Sequence, residues 1–94
     1  MKFLSHLLAL AAMVLGQSLA HAATKVWDGS TSANWNTASN WTNNAVPVNG
    51  DDLIFPTAAA NKANTNDMAA LSVRSLTFLG SGYTLSGNGF TLGA

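Results

Sequence analysis

The chain has 94 residues, with four basic side chains, four acidic side chains and a formal net charge of zero at pH 7. This length suffices for one small domain at most. The sparse, balanced charge excludes the basic stripe of a nucleic-acid-binding protein, and the absence of cysteine excludes disulfides and thiolate metal sites.

Residues 1–22 have the three regions of a secretory signal peptide. A basic start precedes an almost wholly apolar run over residues 3–16, and a small, polar stretch follows. Ala20-His21-Ala22 fits the A-x-A rule and predicts cleavage between Ala22 and Ala23, with Ser18-Leu19-Ala20 as the alternative site. A membrane anchor is the disfavoured alternative, because the apolar run is shorter than the ~20 residues that a spanning helix needs. We therefore expect an exported chain that engages the export machinery and has no transmembrane segment after cleavage.

Residues 23–56 are a tryptophan-rich segment that we interpret as an N-terminal cap. The β-branched and aromatic stretch 24–27 predicts a first strand, which ends in a turn at Asp28-Gly29. The large apolar area of Trp27, Trp35 and Trp41 favours indoles that cover the end of a hydrophobic core. The alternative is a stacking platform for sugars, in which these indoles contact the ligand from one exposed face.

The next stretch contains a predicted strand followed by a predicted loop. Residues 51–56 have an acidic entry, three apolar residues and a proline stop, a pattern that is typical of a strand. Residues 57–70 are mostly Ala, Asn and Thr with no clear period, and we expect a solvent loop or a long corner there. Strand character resumes at Leu71.

Residues 71–94 carry short β-strand repeats. The unit is apolar, Thr, apolar, any residue, Gly, small polar, Gly; it begins at Leu76, recurs at Tyr83 and starts a third time at Phe90. Apolar residues two apart indicate strands with one buried face, and the glycines supply corners. We expect three strands that make about one triangular turn of a β-solenoid, with Tyr83 and Phe90 facing a shared interior. A small antiparallel β-meander with glycine hairpins is the alternative topology.

The residue types left after cleavage argue against catalysis. Both histidines lie in the leader, and the chain has no Cys and no Glu, so nucleophilic triads lack a base and zinc lacks its usual ligands. Two-carboxylate glycoside hydrolysis remains, but neighbouring Asp51 and Asp52 point to opposite faces of a strand. Calcium could use the oxygens of Asn49, Asp51 and Asp52, although solvated turn carboxylates are the simpler interpretation. We expect no enzymatic activity, no metal site and no cofactor.

The order of these motifs resembles that of a known family. The segment with Trp27-Asp28-Gly29, Asn34-Trp35, Asn40-Trp41, Pro47, Gly50-Asp51 and Phe55, followed by the strand repeats, is similar to the N-terminal part of passenger domains with autotransporter-associated β-strand repeats. The resemblance implies a right-handed parallel β-helix that is displayed at the outer membrane or cell surface of a Gram-negative-type bacterium. Because such proteins usually run to several hundred residues, the resemblance also implies that this chain is a fragment.

Three functions follow as hypotheses. The first is a non-catalytic structural or adhesive surface segment, whose partners would be a surface polysaccharide or a host or neighbouring cell surface. The second is a carbohydrate-binding module that uses Trp27, Trp35 and Trp41. The third is the N-terminal fragment of a polysaccharide-active β-helix enzyme, with catalytic residues beyond Ala94. Exposure of the indoles separates the first hypothesis from the second.

Overall fold

The computed structural model describes residues 23–93, which form an all-β structure. The predicted leader and its residue Ala22 lie outside the described residues, and Ala23 is the first residue within them. Seven strands occur in this part of the chain: β1 Thr24–Val26, β2 Asp52–Phe55, β3 Ala63–Asn66, β4 Ser72–Val73, β5 Ser75–Phe78, β6 Thr84–Gly87 and β7 Thr91–Leu92. Two single-turn 3-10 helices, Ala38–Asn40 and Thr42–Asn44, lie between β1 and β2. Over residues 23–93, no helix has the length and apolar character needed to cross a membrane.

The strands pair in parallel and form three small sheets. The sheet orders are β1-β2-β5, β3-β6 and β4-β7. We call β2, β3 and β4 the first pass and β5, β6 and β7 the second pass, because the chain visits the three sheets twice in the same order. The antiparallel meander is therefore wrong for residues 23–93, where the one antiparallel contact is an isolated bridge between Trp27 and Trp41.

The register of the two passes places like residues beside each other. Leu53 pairs with Leu76, and Phe55 pairs with Phe78 in the next strand of the same sheet. In β2, Leu53 and Phe55 are buried while Asp52 and Ile54 are half-buried. This alternation is the period of two that the sequence predicts for a strand with one face in the core.

Strand β3 corrects the predicted loop over residues 57–70. Ala63–Asn66 pairs along its whole length with Thr84–Gly87, and Asn64 and Asn66 are each only 1% exposed. The prediction failed because the alternation in β3 is carried by asparagines and so gives no apolar period. The alternation of Asn64 and Asn66 about Thr65 has the strand period, and burial of both amides is tolerated because they are hydrogen-bonded.

The core lies beneath the first pass and the tryptophan segment. Its buried apolar residues are Trp27, Trp35, Trp41, Leu53, Phe55, Leu71 and Val73. The ring of Phe55 is central, with centroid distances of 6.2, 5.8 and 6.0 Å to Trp27, Trp35 and Trp41. Tyr83 and Phe90 each precede a strand of the second pass by one residue and pack against this core. Both rings therefore face a shared interior as predicted, but each lies just before its strand and not within it.

Candidate functional site

The three tryptophans are buried in the core and present no face to solvent. Trp27 and Trp35 are 0% exposed and Trp41 is 1% exposed. Trp41 meets Trp27 and Trp35 edge to face, with centroid distances of 5.1 and 6.0 Å. Since a sugar stacks on an accessible indole face, these residues cannot contact a ligand in this arrangement. The geometry supports the cap, and it does not favour the carbohydrate-binding module.

The indole N–H groups also have partners inside the protein. Nε1 of Trp27 donates to the carbonyl of Asn61 at 2.7 Å, and Nε1 of Trp35 donates to Oδ1 of Asn64 at 2.8 Å. Nε1 of Trp41 donates to the carbonyl of Trp35 at 2.8 Å. Each indole N–H is therefore hydrogen-bonded to a backbone or side-chain acceptor within the protein.

Asn40 organises the irregular loop between β1 and the first 3-10 helix. Its Oδ1 accepts hydrogen bonds from the backbone N–H groups of Thr31 and Ser32 at 2.9 and 2.8 Å. Its Nδ2 donates to Oγ of Ser32 at 2.9 Å and to the carbonyl of Asn34 at 2.8 Å. The amide thus uses two acceptor and two donor positions, which is its full capacity. The residue pattern identifies Asn40 only beside Trp41 in the family resemblance and does not predict these loop contacts.

Asn66 links the two passes and was missed altogether. Its Nδ2 donates to the carbonyl of Asn88 at 3.0 Å, and its Oδ1 accepts from the N–H of Met68 at 3.0 Å. Asn88 in turn donates from Nδ2 to the carbonyl of Met68 at 3.0 Å. These bonds hold the corner after β3 against the corner after β6. The period-two spacing of Asn64 and Asn66 is the signal that could have identified this face.

Asp51 is a buried carboxylate at the start of β2. It is 1% exposed, and its Oδ2 pairs with Nζ of Lys25 and accepts the N–H of Val48 at 2.9 Å. Its Oδ1 accepts the N–H of Ala23 at 3.1 Å. One cation and two backbone donors therefore compensate the charge, which removal from water would otherwise make costly.

Asp52 points away from Asp51 and has a different cation. Its carboxylate accepts from Nε of Arg74 at 3.1 Å and from Nη2 at 2.9 Å, while Oγ of Ser75 donates to Oδ1. The hydrogen bonds from Arg74, and then the one from Ser75, hold the pKa of Asp52 below its ordinary value. The hydrogen bond to Asp52 raises the pKa of Arg74. The two carboxylates face different neighbours and so cannot flank one glycosidic bond.

The oxygens considered for calcium are committed to separate partners. Oδ1 of Asn49 accepts the N–H of Ser72 at 3.0 Å, and each aspartate pairs with its own cation. Within residues 23–93, no group of three or more His, Asp or Glu side chains is placed to hold a metal ion.

In the described structure, the second pass has outer strand edges without a neighbouring strand and exposed apolar side chains. We call the outer edges of β5, β6 and β7 the terminal edge, since each of these strands is the last of its sheet. Phe78 is 42% exposed although its register partner Phe55 is 0% exposed. Leu92 is 60% exposed although its partner Val73 is 0% exposed. The terminal edge therefore combines unpaired backbone groups with apolar side chains, the features of a surface on which another strand can pair.

The buried polar groups described above are all committed to holding the fold together. The terminal edge, by contrast, presents both backbone hydrogen-bonding groups and apolar side chains to solvent in the described structure. Chemically, this arrangement can pair with further strands and cover further apolar side chains. No family model, curated protein or solved structure matches this chain.

Proposed function

We propose that this chain is the N-terminal capping segment of an exported, non-catalytic surface protein, and that it begins a right-handed parallel β-helix. The observation that carries this proposal is the repeated order of the strands. The first pass enters the three sheets in one order, and the second pass enters the same sheets in the same order and in parallel. A chain that winds in this way stacks each new pass on the last one.

The difference between the two ends of the core supports the capping role. Three indoles are buried around Phe55 of the first pass, and their N–H groups are satisfied internally. The second pass ends in the terminal edge, with Phe78 and Leu92 exposed. Repeat proteins bury their core between stacked neighbours and close the end with an atypical unit. We infer that further strand repeats of the same protein cover the terminal edge.

A structural or adhesive role fits the chemistry of the described residues. The buried carboxylate of Asp51 forms an ion pair with Lys25, and the half-buried phenol of Tyr83 donates a hydrogen bond to the carbonyl of Pro56. These polar groups hold strands and corners together. The proposed location is the outer surface of a Gram-negative-type bacterium, which the leader and the family resemblance support.

Antibodies raised against residues 23–93 test this location. Applied to intact cells that carry the gene, they are expected to label the surface, and a protease added outside is expected to remove the label. Mass spectrometry of the labelled protein is expected to show that the leader is gone. Labelling that appears only after both membranes are permeabilised, together with a retained leader, would contradict the proposal. An Ala22→Lys variant, which disrupts the A-x-A site, is the matched control for cleavage.

A further inference from the structure

Ala23 is held by both of its peptide groups. Its N–H donates to Oδ1 of Asp51 at 3.1 Å, and its carbonyl accepts the N–H of Asp52 at 2.8 Å. The next residue, Thr24, begins β1 and pairs in parallel with Asp52. The nitrogen of Ala23 is therefore fixed beside a buried carboxylate at the point where the sheet begins.

The two oxygens of Asp51 serve different donors. Oδ2 takes Lys25 and the N–H of Val48, whereas the bond that Oδ1 accepts from the described residues is the one from Ala23. Asp51 is 1% exposed, but Ala23 itself is exposed. A larger, charged group at the nitrogen of Ala23 can thus reach Oδ1 and still contact water.

We propose that leader cleavage converts this contact into an ionic anchor between the new N-terminus and Asp51. Hydrolysis of the Ala22–Ala23 peptide bond consumes one water, leaves a carboxylate on Ala22 and releases an amine on Ala23, which takes up a proton. The neutral N–H donor at Oδ1 becomes an α-ammonium. This inference rests on the proposed export and cleavage, and it assigns Asp51 as the receptor for the mature N-terminus.

The anchor stabilises the cleaved chain and not the precursor. The bond from the neutral N–H of Ala23 already has an ionised acceptor, so what the α-ammonium adds is the attraction of an opposite charge at Oδ1. Repulsion between the α-ammonium and Lys25 offsets part of the gain, and solvent at exposed Ala23 screens both charges. We expect the folding equilibrium constant to rise about two- to fivefold when the ammonium replaces the amide, which is the range for an ion pair with one solvent-exposed partner.

The test compares two proteins secreted from the full-length gene. One has the natural sequence, and the other has Gly-Ser inserted between Ala22 and Ala23, so that cleavage after Ala22 still leaves a neutral amide at Ala23. Mass spectrometry defines each N-terminus, and urea unfolding gives each folding equilibrium constant. We expect the natural protein to have a constant about two- to fivefold larger. Equal constants in two correctly cleaved proteins would overturn the anchor and leave the export proposal standing.

Two further pairs of proteins test the roles of Asp51 and Lys25. Asp51→Asn in both backgrounds is expected to abolish the difference between the natural and the inserted N-terminus, and a difference that persists contradicts the anchor. Lys25→Gln in both backgrounds keeps the carboxylate and removes the competing cation, so the difference is expected to grow. A difference that shrinks or stays the same in Lys25→Gln contradicts the anchor even where Asp51→Asn does not fold. A natural N-terminus other than Ala23 overturns the anchor, whereas an uncleaved chain that stays inside the cell overturns the export proposal itself.

Discussion

At the scale of single residues, asparagine side chains replace the backbone pairing that the irregular parts of this chain lack. Asn40 satisfies the loop after β1, and Asn66 ties together the corners that follow β3 and β6. A side-chain amide can do this because it carries both donors and acceptors. Among the described residues, no buried side-chain nitrogen or oxygen lacks a hydrogen-bond partner. Buried amides are therefore part of the structural core.

Substitution of Asn40 by alanine tests this role. The change removes the partners of the Thr31 and Ser32 N–H groups and of the Asn34 carbonyl, so we expect the free energy of unfolding to fall by about 1–3 kcal/mol. Asn36→Ala, at an exposed position, is the matched control and is expected to change it by less than about 0.5 kcal/mol. Urea unfolding followed by circular dichroism gives both values. Equal effects of the two substitutions would contradict the structural role of Asn40.

Tyr83 gives a prediction about pH. It is the single tyrosine of the chain, and burial raises the pKa of its phenol above the ordinary value of 10.0. The folded state favours the neutral phenol, so its contribution to stability is full below pH 10 and is lost as pH rises through the raised pKa. Absorbance titration of the phenol is expected to give a higher midpoint in buffer than in denaturant. Identical midpoints would show that Tyr83 is not desolvated by the core.

At the scale of the strands and corners, the passes fit together through close backbone contact. Gly87 ends β6 with a φ of +96°, and a Cβ built there would lie 2.4 Å from the carbonyl oxygen of Asn66. Gly89 follows two residues later, and a Cβ there would meet nothing within 4 Å. Only the first of these two glycines of the repeat is thus required by its conformation and its neighbour.

This difference predicts opposite outcomes for two similar substitutions. Gly87→Ala combines a strained φ with a backbone clash, and we expect it to lower the free energy of unfolding by about 1–3 kcal/mol. Gly89→Ala is expected to leave stability unchanged or to raise it slightly, because alanine restricts the unfolded chain. Thermal unfolding of both variants measures the contrast. A neutral Gly87→Ala would contradict the described corner between β6 and β7.

The strands differ in how well the sequence predicts them. The apolar alternation beginning at Leu76 and Tyr83 predicts β5 and β6, because period-two burial and glycine corners are local signals. β3 was not predicted, although Asn64 and Asn66 have the strand period, because amides are buried only where distant partners such as Nε1 of Trp35 and the carbonyl of Asn88 satisfy them. No local pattern specifies such partners.

The candidate site likewise has features that local sequence predicts and features that depend on distant residues. The apolar area of the three tryptophans favoured the cap from the sequence, and the opposite directions of Asp51 and Asp52 follow from the strand period. The partners of those carboxylates, Lys25 and Arg74, depend on how β1, β2 and β5 come together in space. Residue spacing cannot predict these ion pairs, because the partners are more than twenty positions apart in the chain.

At the scale of the whole described structure, burial falls steeply from one end to the other. Phe55 and Val73 in the first pass are fully buried, whereas Phe78 and Leu92, their register partners in the second pass, are 42% and 60% exposed. The second pass thus has apolar residues at the same register positions as the buried ones of the first pass, but no further strand of the described structure covers them. This gradient supports the proposed role as the closed end of a longer winding structure.

The parallel stacking of the two passes is the central claim, and a pair of engineered cysteines tests it directly. The chain has no native cysteine, and the side-chain oxygens of Thr65 and Ser86 lie 3.3 Å apart on register partners of β3 and β6. A Thr65→Cys/Ser86→Cys protein is expected to form an intramolecular disulfide on mild oxidation, seen as a loss of two hydrogens by mass spectrometry. A Thr77→Cys/Ser86→Cys protein, whose two sites lie in different sheets, is expected to stay reduced. Closure of the second pair and not the first would contradict the account.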